Sequence, residues 1–197
     1  MNAMYKEHSK LLTMLADLVK IDRLDIKLAT ELFEPVHTRK GDLLVEAGST
    51  ARYLYFINSG YMRLYYYDDG EEITTLLNNC PSGFITSFNS FITQTHSHNY
   101  LECISDCELL RITKKDVDTL YQHSQKWAEF GRKVYEQAFS CLEERTKDML
   151  TLSAEQRYLK LLGNHPGIIQ NIPLQHIASY LGIKAPSLSR IRKHITI

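Results

Sequence analysis

The chain has 197 residues, enough for one large domain or for a medium and a small one with a proper buried core. Its 44% hydrophobic and 23% charged residues are those of an ordinary globular protein, which excludes a disordered polymer, and no apolar run approaches the roughly 18 residues of a membrane helix. The net charge is zero, but residues 1–150 hold 17 bases and 22 acids, whereas residues 151–197 hold six bases (Arg157, Lys160, Lys184, Arg190, Arg192, Lys193) and one acid, Glu155.

Met1 to Lys10 is polar and lacks the apolar stretch of a secretory signal, so a cytoplasmic location is expected. The four cysteines, Cys80, Cys103, Cys107 and Cys141, form no CxxC pair and read as reduced thiols. From Leu11 to Phe33 the apolar positions Leu11, Leu15, Leu18, Leu24, Leu28 and Leu32 follow helical spacing, which predicts one or two helices ending before Pro35. Between Thr38 and Ile112 the period changes. Short runs of Leu, Val, Ile, Tyr and Phe are broken by glycines at 41, 48, 60, 70 and 83, the pattern of many short antiparallel strands. Within it, Tyr61 to Leu77 reads as a hairpin closed at Asp68-Asp69-Gly70, where Asp-Gly supplies positive φ.

Lys114 to Leu150 contains neither proline nor a run of β-branched residues and predicts one long helix. Its stripe of Leu120, Trp127, Phe130, Val134, Ala138, Cys141 and Leu142 is more than a small β domain covers, so pairing with a second copy is expected, with Trp127, Phe130, Val134, Ala138 and Cys141 as the dimer contacts. Ser153 and Gln156 then form a capping box for a new helix that runs to Leu162 and stops at the breaker cluster 163–167. The boundary between an N-terminal unit, 1–150, and a C-terminal unit, 151–197, falls near Thr151, where the charge also changes sign. No internal repeat or low-complexity segment is present.

The stretch from Leu174 to His194, LQHIASYLGIKAPSLSRIRKH, has the spacing of a helix-turn-helix. Ile177, Leu181, Ile183, Leu188 and Ile191 fall where two short helices face each other. Ala178 is small where they cross, and Gly182 sits where the turn needs a left-handed backbone. The second helix is expected from about Pro186 to His194, because proline is tolerated in a first turn. Ser187, Ser189, Arg190, Arg192 and Lys193 fall on or beside its outer face, and Gln175 at the start of the first. Arg190 suits a guanine edge, since a guanidinium can bond O6 and N7 together. Ser187 and Ser189 suit bases or phosphate, and Arg192, Lys193 and Gln175 suit phosphate. A basic segment on an acidic body is the asymmetry expected when only one part meets DNA.

These residues carry a resemblance. IPLQHIASYLGIKAPSLSRIRKHI (172–195) resembles the DNA-binding end of Crp/Fnr-family regulators, and SLSRIRK, with SAEQRYLKLL before it, resembles members from Bacteroidetes-type bacteria. KGDLLVEAG (40–48), LYFINSGYMRLYY (54–66) and CELLRI (107–112) are similar to the strands of the cyclic-nucleotide-binding β-roll. The resemblance implies an α+β protein. An N-terminal antiparallel β-roll (jelly roll) with a long dimerisation helix, about 114–150, would be followed by a small helix-turn-helix domain. It further implies a homodimer on double-stranded DNA, with RNA polymerase as a partner and no membrane association. Two-fold symmetry then predicts an inverted repeat with half-sites about 34 Å apart.

Two departures matter. Relatives that bind cyclic AMP or cyclic GMP carry a Gly-Glu-Leu turn and an Arg about a dozen residues later. Here Phe84, Thr86 and Ser87 lead to Ser97 and His98, with Ser87 at the Glu position and Ser97 at the Arg position. Without the Arg, a cyclic phosphate loses its charge-assisted bidentate bonds, so tight binding of cyclic nucleotides is not expected. A protonated His96 or His98 replaces that charge only in part, below about pH 6.5. Either the pocket takes an unidentified small-molecule effector, or Tyr65, Tyr67, Phe84, Phe88 and Phe91 fill it. In the recognition helix, Lys184-Ala185-Pro186 stands where relatives often have Thr-Pro-Glu, which removes the N-cap hydroxyl at about 1 kcal/mol and alters the expected target site. Only three residues follow that helix, so no wing hairpin is expected.

No cofactor is implied. Iron–sulfur sensing would need clustered cysteines, and none precedes Cys80; His96 and His98 alone make a weak metal site, and no local pattern supports haem. Cys103 and Cys107, an even number apart, are expected to share a strand face, as small buried side chains or as a redox pair. An enzyme is the poorest reading, because the chain has no phosphate loop, nucleophile motif or acid–histidine constellation, and no catalytic residue is assigned. The alternative to a DNA-binding regulator is a β-roll sensor or interaction module whose helix-turn-helix is vestigial.

Overall fold

The computed structural model describes residues 6–77 and 83–195, so Cys80 lies outside the described residues. Two short helices come first, α1 (Ser9–Leu18) and α2 (Arg23–Leu32). Asp22 caps α2: its carboxylate accepts from the amides of Leu24 and Asp25, while Asp25 reaches back to the Asp22 amide. Among the described residues eight strands follow: β1 (Glu34–Thr38), β2 (Leu43–Val45), β3 (Tyr53–Ser59), β4 (Met62–Asp68), β5 (Glu71–Leu77), β6 (Phe84–Ile85), β7 (Tyr100–Cys103) and β8 (Cys107–Thr113). A short helix, α3 (Phe88–Thr93), interrupts them, in a region whose sequence reads as strand throughout.

The strands form two antiparallel sheets, β1-β8-β3-β6 and β2-β7-β4-β5. Successive strands change sheet except at the β4–β5 hairpin, which rolls one core between the layers. Pro35 is tolerated because β1 is an edge strand. The β4–β5 turn is as the sequence predicts, with positive φ at both Asp69 (48°) and Gly70 (79°), the twist-matched type I′ geometry. Cys103 and Cys107 do not share one strand face. Ile104, Ser105 and Asp106 make the corner between β7 in one sheet and β8 in the other, and both thiols are buried at its two ends.

The predicted single helix is two, α4 (Lys114–His123) and α5 (Gln125–Thr151). Ser124 is extended between them, and its hydroxyl donates to the buried carboxylate of Asp25 at 2.9 Å, an off-helix partner that holds the bend. The bend turns Trp127 inward against Phe33, with ring centroids 6.0 Å apart. Helices α6 (Ala154–Asn164), α7 (Pro166–Asn171), α8 (Leu174–Tyr180) and α9 (Ala185–His194) complete the described chain. The Ser153–Gln156 capping box forms as the sequence predicts, and α7 occupies the segment read as a breaker because Pro166 starts a helix as readily as it ends one.

Two apolar cores result. One gathers α1, α2, the roll, α4 and the first half of α5. The other gathers Tyr158, Leu161, Ile168, Ile172, Ile177, Leu181 and Leu188, and takes in Leu77 and Ile104 from the roll. Among the described residues no helix is long and apolar enough to cross a membrane.

Candidate nucleic-acid interface

Helices α8 and α9 owe their relative placement to the turn between them. Gly182 has φ of 70°, its amide bonds to the carbonyl of Ser179, and the Ile183 amide bonds to the carbonyl of Ala178. This is the Schellman pattern that ends a helix and redirects the chain, and it needs the left-handed backbone that glycine adopts freely. Ile177, Ala178, Leu181 and Leu188 are buried, and Ile183 and Ile191 pack beside them as the spacing predicts.

That packing fixes which side of α9 faces out. Ser187, Arg190, Arg192 and Lys193 are exposed, and Ser189 is half-buried at the margin. Lys184 precedes α9 without a side-chain cap, in line with the missing hydroxyl. Arg192, Lys193 and His194 fill the last turn, where positive charge is favourable to the helix dipole. Gln175 is exposed on the first turn of α8 and lines a cleft of about 650 Å³ shared with Glu71, Glu72 and Lys184.

Ser179, one turn after Gln175 on the same side of α8, meets the edge strand β5. Ser179 Oγ accepts from the Thr74 amide and donates to the Glu72 carbonyl, both at 2.8 Å. Beside this contact lies a buried charge cluster that the linear sequence does not reveal. Arg63, 3% exposed on β4, contacts Glu72 Oε2 at 2.6 Å and Glu102 Oε2 at 2.7 Å, and its Nη1 lies 2.8 Å from Nδ1 of His176 on α8. Burial lowers the His176 pKa, and the Arg63 charge lowers it further, against smaller opposing effects of Glu102 and Glu72. Farther along, Arg145 and Arg157 donate to the carbonyls of Tyr180 and Leu181.

Of the residues singled out for the effector pocket, Ser87 and Ser97 come together, and they bond each other. Ser97 Oγ donates to Ser87 Oγ at 2.9 Å, and the Asn99 amide donates to Ser97 Oγ. Thr86 Oγ1 donates to the Tyr53 carbonyl, and Ser90 Oγ accepts from the Ala51 amide while donating to the Thr95 carbonyl. Thr86, Ser87, Ser90 and Ser97 are all buried, whereas His96 and His98 are exposed. Phe91 is buried, and Phe84 is buried against Phe33, Phe56 and Phe130. Tyr65 packs instead under the Arg63 guanidinium and on Tyr100, beside Tyr67, which is 52% exposed with its hydroxyl on Glu72.

The predicted dimer stripe requires correction. Trp127, Phe130 and Val134 are buried in the chain's own core, and Ala138 and Cys141 are half-buried. The apolar residues of α5 that face away are Phe139, Leu142 and Leu150, with Phe139 70% exposed, whereas Tyr135 packs its ring on Phe88. Spacing alone could not separate the two stripes, because both have helical periodicity.

Residues 35–124 match the family model of the cyclic nucleotide-binding domain. No curated protein matches the chain. Among solved structures, FixK2 from Bradyrhizobium japonicum is similar at a TM-score of 0.66 and 15% identity, over 83% of this chain and 84% of that one. A transcriptional regulator of the Crp/Fnr family from Eubacterium rectale gives 0.66 and 19%, over 89% and 83%. The catabolite activator protein of Thermus thermophilus gives 0.53 and 17%, over 92% and 86%. The chain therefore shares their fold, an antiparallel cyclic-nucleotide-binding-type roll followed by helices.

Proposed function

We propose that the chain is a DNA-binding transcription regulator of the Crp/Fnr type, with a β-roll unit (1–150) and a helix-turn-helix unit (151–197), and that it acts in the cytoplasm as a homodimer. The observation that carries this reading is α9, whose buried Leu188 face fixes an exposed face of Ser187, Arg190, Arg192 and Lys193. Arg190 reads a base edge in the major groove. Arg192, Lys193 and Gln175 hold phosphate, and Ser187 and Ser189 complete the contact. The outward stripe of Phe139, Leu142 and Leu150 pairs with its copy, which sets two α9 helices on an inverted repeat about one turn apart. RNA polymerase is the expected further partner.

The regulator is not controlled by cyclic AMP or cyclic GMP. At the phosphate end, Ser87 and Ser97 satisfy each other, and no buried cationic side chain among the described residues stands in for the missing Arg there. The apolar cleft under α4 and α5, lined by Phe33, Phe84, Phe88, Tyr121, Trp127 and Tyr135, encloses only about 30 Å³, so an effector of another class would have to widen it to bind there.

Selection of duplexes from a random pool by the purified, ligand-free protein tests the reading, with Arg190→Ala alongside. An inverted repeat enriched by the wild type and lost by the variant is expected. A pool left unenriched by both would favour the interaction module with a vestigial helix-turn-helix.

A further inference from the structure

We infer that the acidic β4–β5 hairpin and the buried Arg63 cluster form an autoinhibitory clamp that withholds the helical pair from DNA and opens on acidification. The inference rests on the DNA-binding reading and adds its regulation.

Three contacts make the clamp. Ser179 covers the open edge of β5 with two hydrogen bonds. Arg63 ties His176 of α8 to Glu72 of β5 and Glu102 of β7. Lys184, just before α9, pairs with Glu71 at 2.8 Å. The closed arrangement places Asp68, Asp69, Glu71 and Glu72, four acids in five residues, on the hairpin against which the helical pair is docked. A phosphate backbone that approached Gln175 at the start of α8 would meet carboxylates across the same cleft. Like charge so close opposes the duplex, so the helical pair must leave β5 to bind well.

His176 sets the pH response. The charged groups facing it are Arg63 from β4, Glu72 from β5 and Glu102 from β7, and α8 carries no other charged side chain. In the closed form neutral His176 accepts from Arg63. A protonated ring would lose that bond and put a second cation beside the guanidinium. The closed form therefore binds fewer protons at this site than the open form, whose histidine titrates at its ordinary value. The His176 contribution to closure is fully present well above pH 6.5 and is lost as pH falls through that value toward the lowered one. With the open-form value at about 6.5, the most that His176 can shift the balance at pH 5.8 is about sixfold.

The test combines amide exchange with DNA affinity, at pH 7.5 and 5.8, for the full chain and for His176→Gln and Ser179→Ala. In the His176→Gln variant the side-chain carbonyl can accept from Arg63 but cannot gain a proton. In the free wild type, the protection factor of the Thr74 amide should fall at pH 5.8, while His176→Gln should hold it. Affinity for the selected repeat should rise about three- to sixfold at pH 5.8 in the wild type relative to His176→Gln. Ser179→Ala should show the weakened edge and the tighter DNA binding already at pH 7.5. Equal protection of Thr74 at both pH values, or a Ser179→Ala variant with an open edge and unchanged affinity, would overturn the clamp. An edge that opens with acid while no duplex binds at either pH would overturn the DNA-binding reading instead.

Discussion

Arg190 and Lys193 lie three residues apart on the exposed side of α9, yet they should fail differently when removed. Arg190→Ala should cost about 1–3 kcal/mol on the selected site and relax the preference at one base position. Lys193→Ala should weaken every duplex alike and reduce the salt slope of log affinity by about one. Titrations of matched and single-mismatch duplexes at several salt concentrations separate the two. In the roll, Ser97 is 3% exposed and hydrogen-bonded to Ser87 and Asn99, so Ser97→Arg should not restore a cyclic-nucleotide site. It should destabilise the fold by about 1–3 kcal/mol through overpacking and an unpaired charge, read as a lower denaturation midpoint with no calorimetric signal for cyclic AMP. At this scale the local chemistry was legible. Gly182, the Ser153 box and Asp-Gly at 69–70 each dictate a backbone through their own neighbours. The Arg63–His176 contact was not, since 113 residues separate its partners and nothing near either one announces the other.

Helix α5 carries two apolar stripes, one buried in the chain's own core and one exposed, to which the proposed function gives the dimer contact. Trp127 packs on Phe33 and Phe130 inside the roll, so Trp127→Ala should cost about 3–5 kcal/mol of stability in chemical denaturation. Phe139, 70% exposed, has no such role within the chain, and Phe139→Glu should leave the monomer folded. It should shift sedimentation from dimer to monomer and lose the inverted repeat with it. A Phe139→Glu variant that sediments as the wild type would remove this stripe from the interface. Periodicity in the sequence marked the helix and its apolar content, but a stripe does not say which surface it meets. The break at Ser124 was equally hidden, because the partner that holds it, Asp25, belongs to a helix about a hundred residues earlier. Helices α3 and α7 escaped notice for a simpler reason: each spans six residues, too few for a helical period to repeat.

Across the whole molecule, the opposite charges of residues 1–150 and 151–197 support the DNA reading and underlie the proposed clamp. On the proposed reading the basic segment supplies the face for phosphate, and the acidic hairpin of the roll meets the same segment from the side. The fold class and the helix pair α8–α9 were readable in chain order, because each rests on local pattern. The docking of one unit on the other had no such signature. It depends on an open strand edge, a buried cation and a histidine that meet only after folding.

The most direct test of the central claim is equilibrium binding of the ligand-free protein to the enriched inverted repeat and to a scrambled duplex of the same composition, with and without cyclic AMP. The account predicts one dimer per repeat, bound at least ~1000-fold more tightly than the scrambled duplex, and no change on adding the nucleotide. Equal affinity for the two duplexes would contradict recognition by α9. Specific binding that emerged only with cyclic AMP would contradict the closed pocket at Ser87 and Ser97.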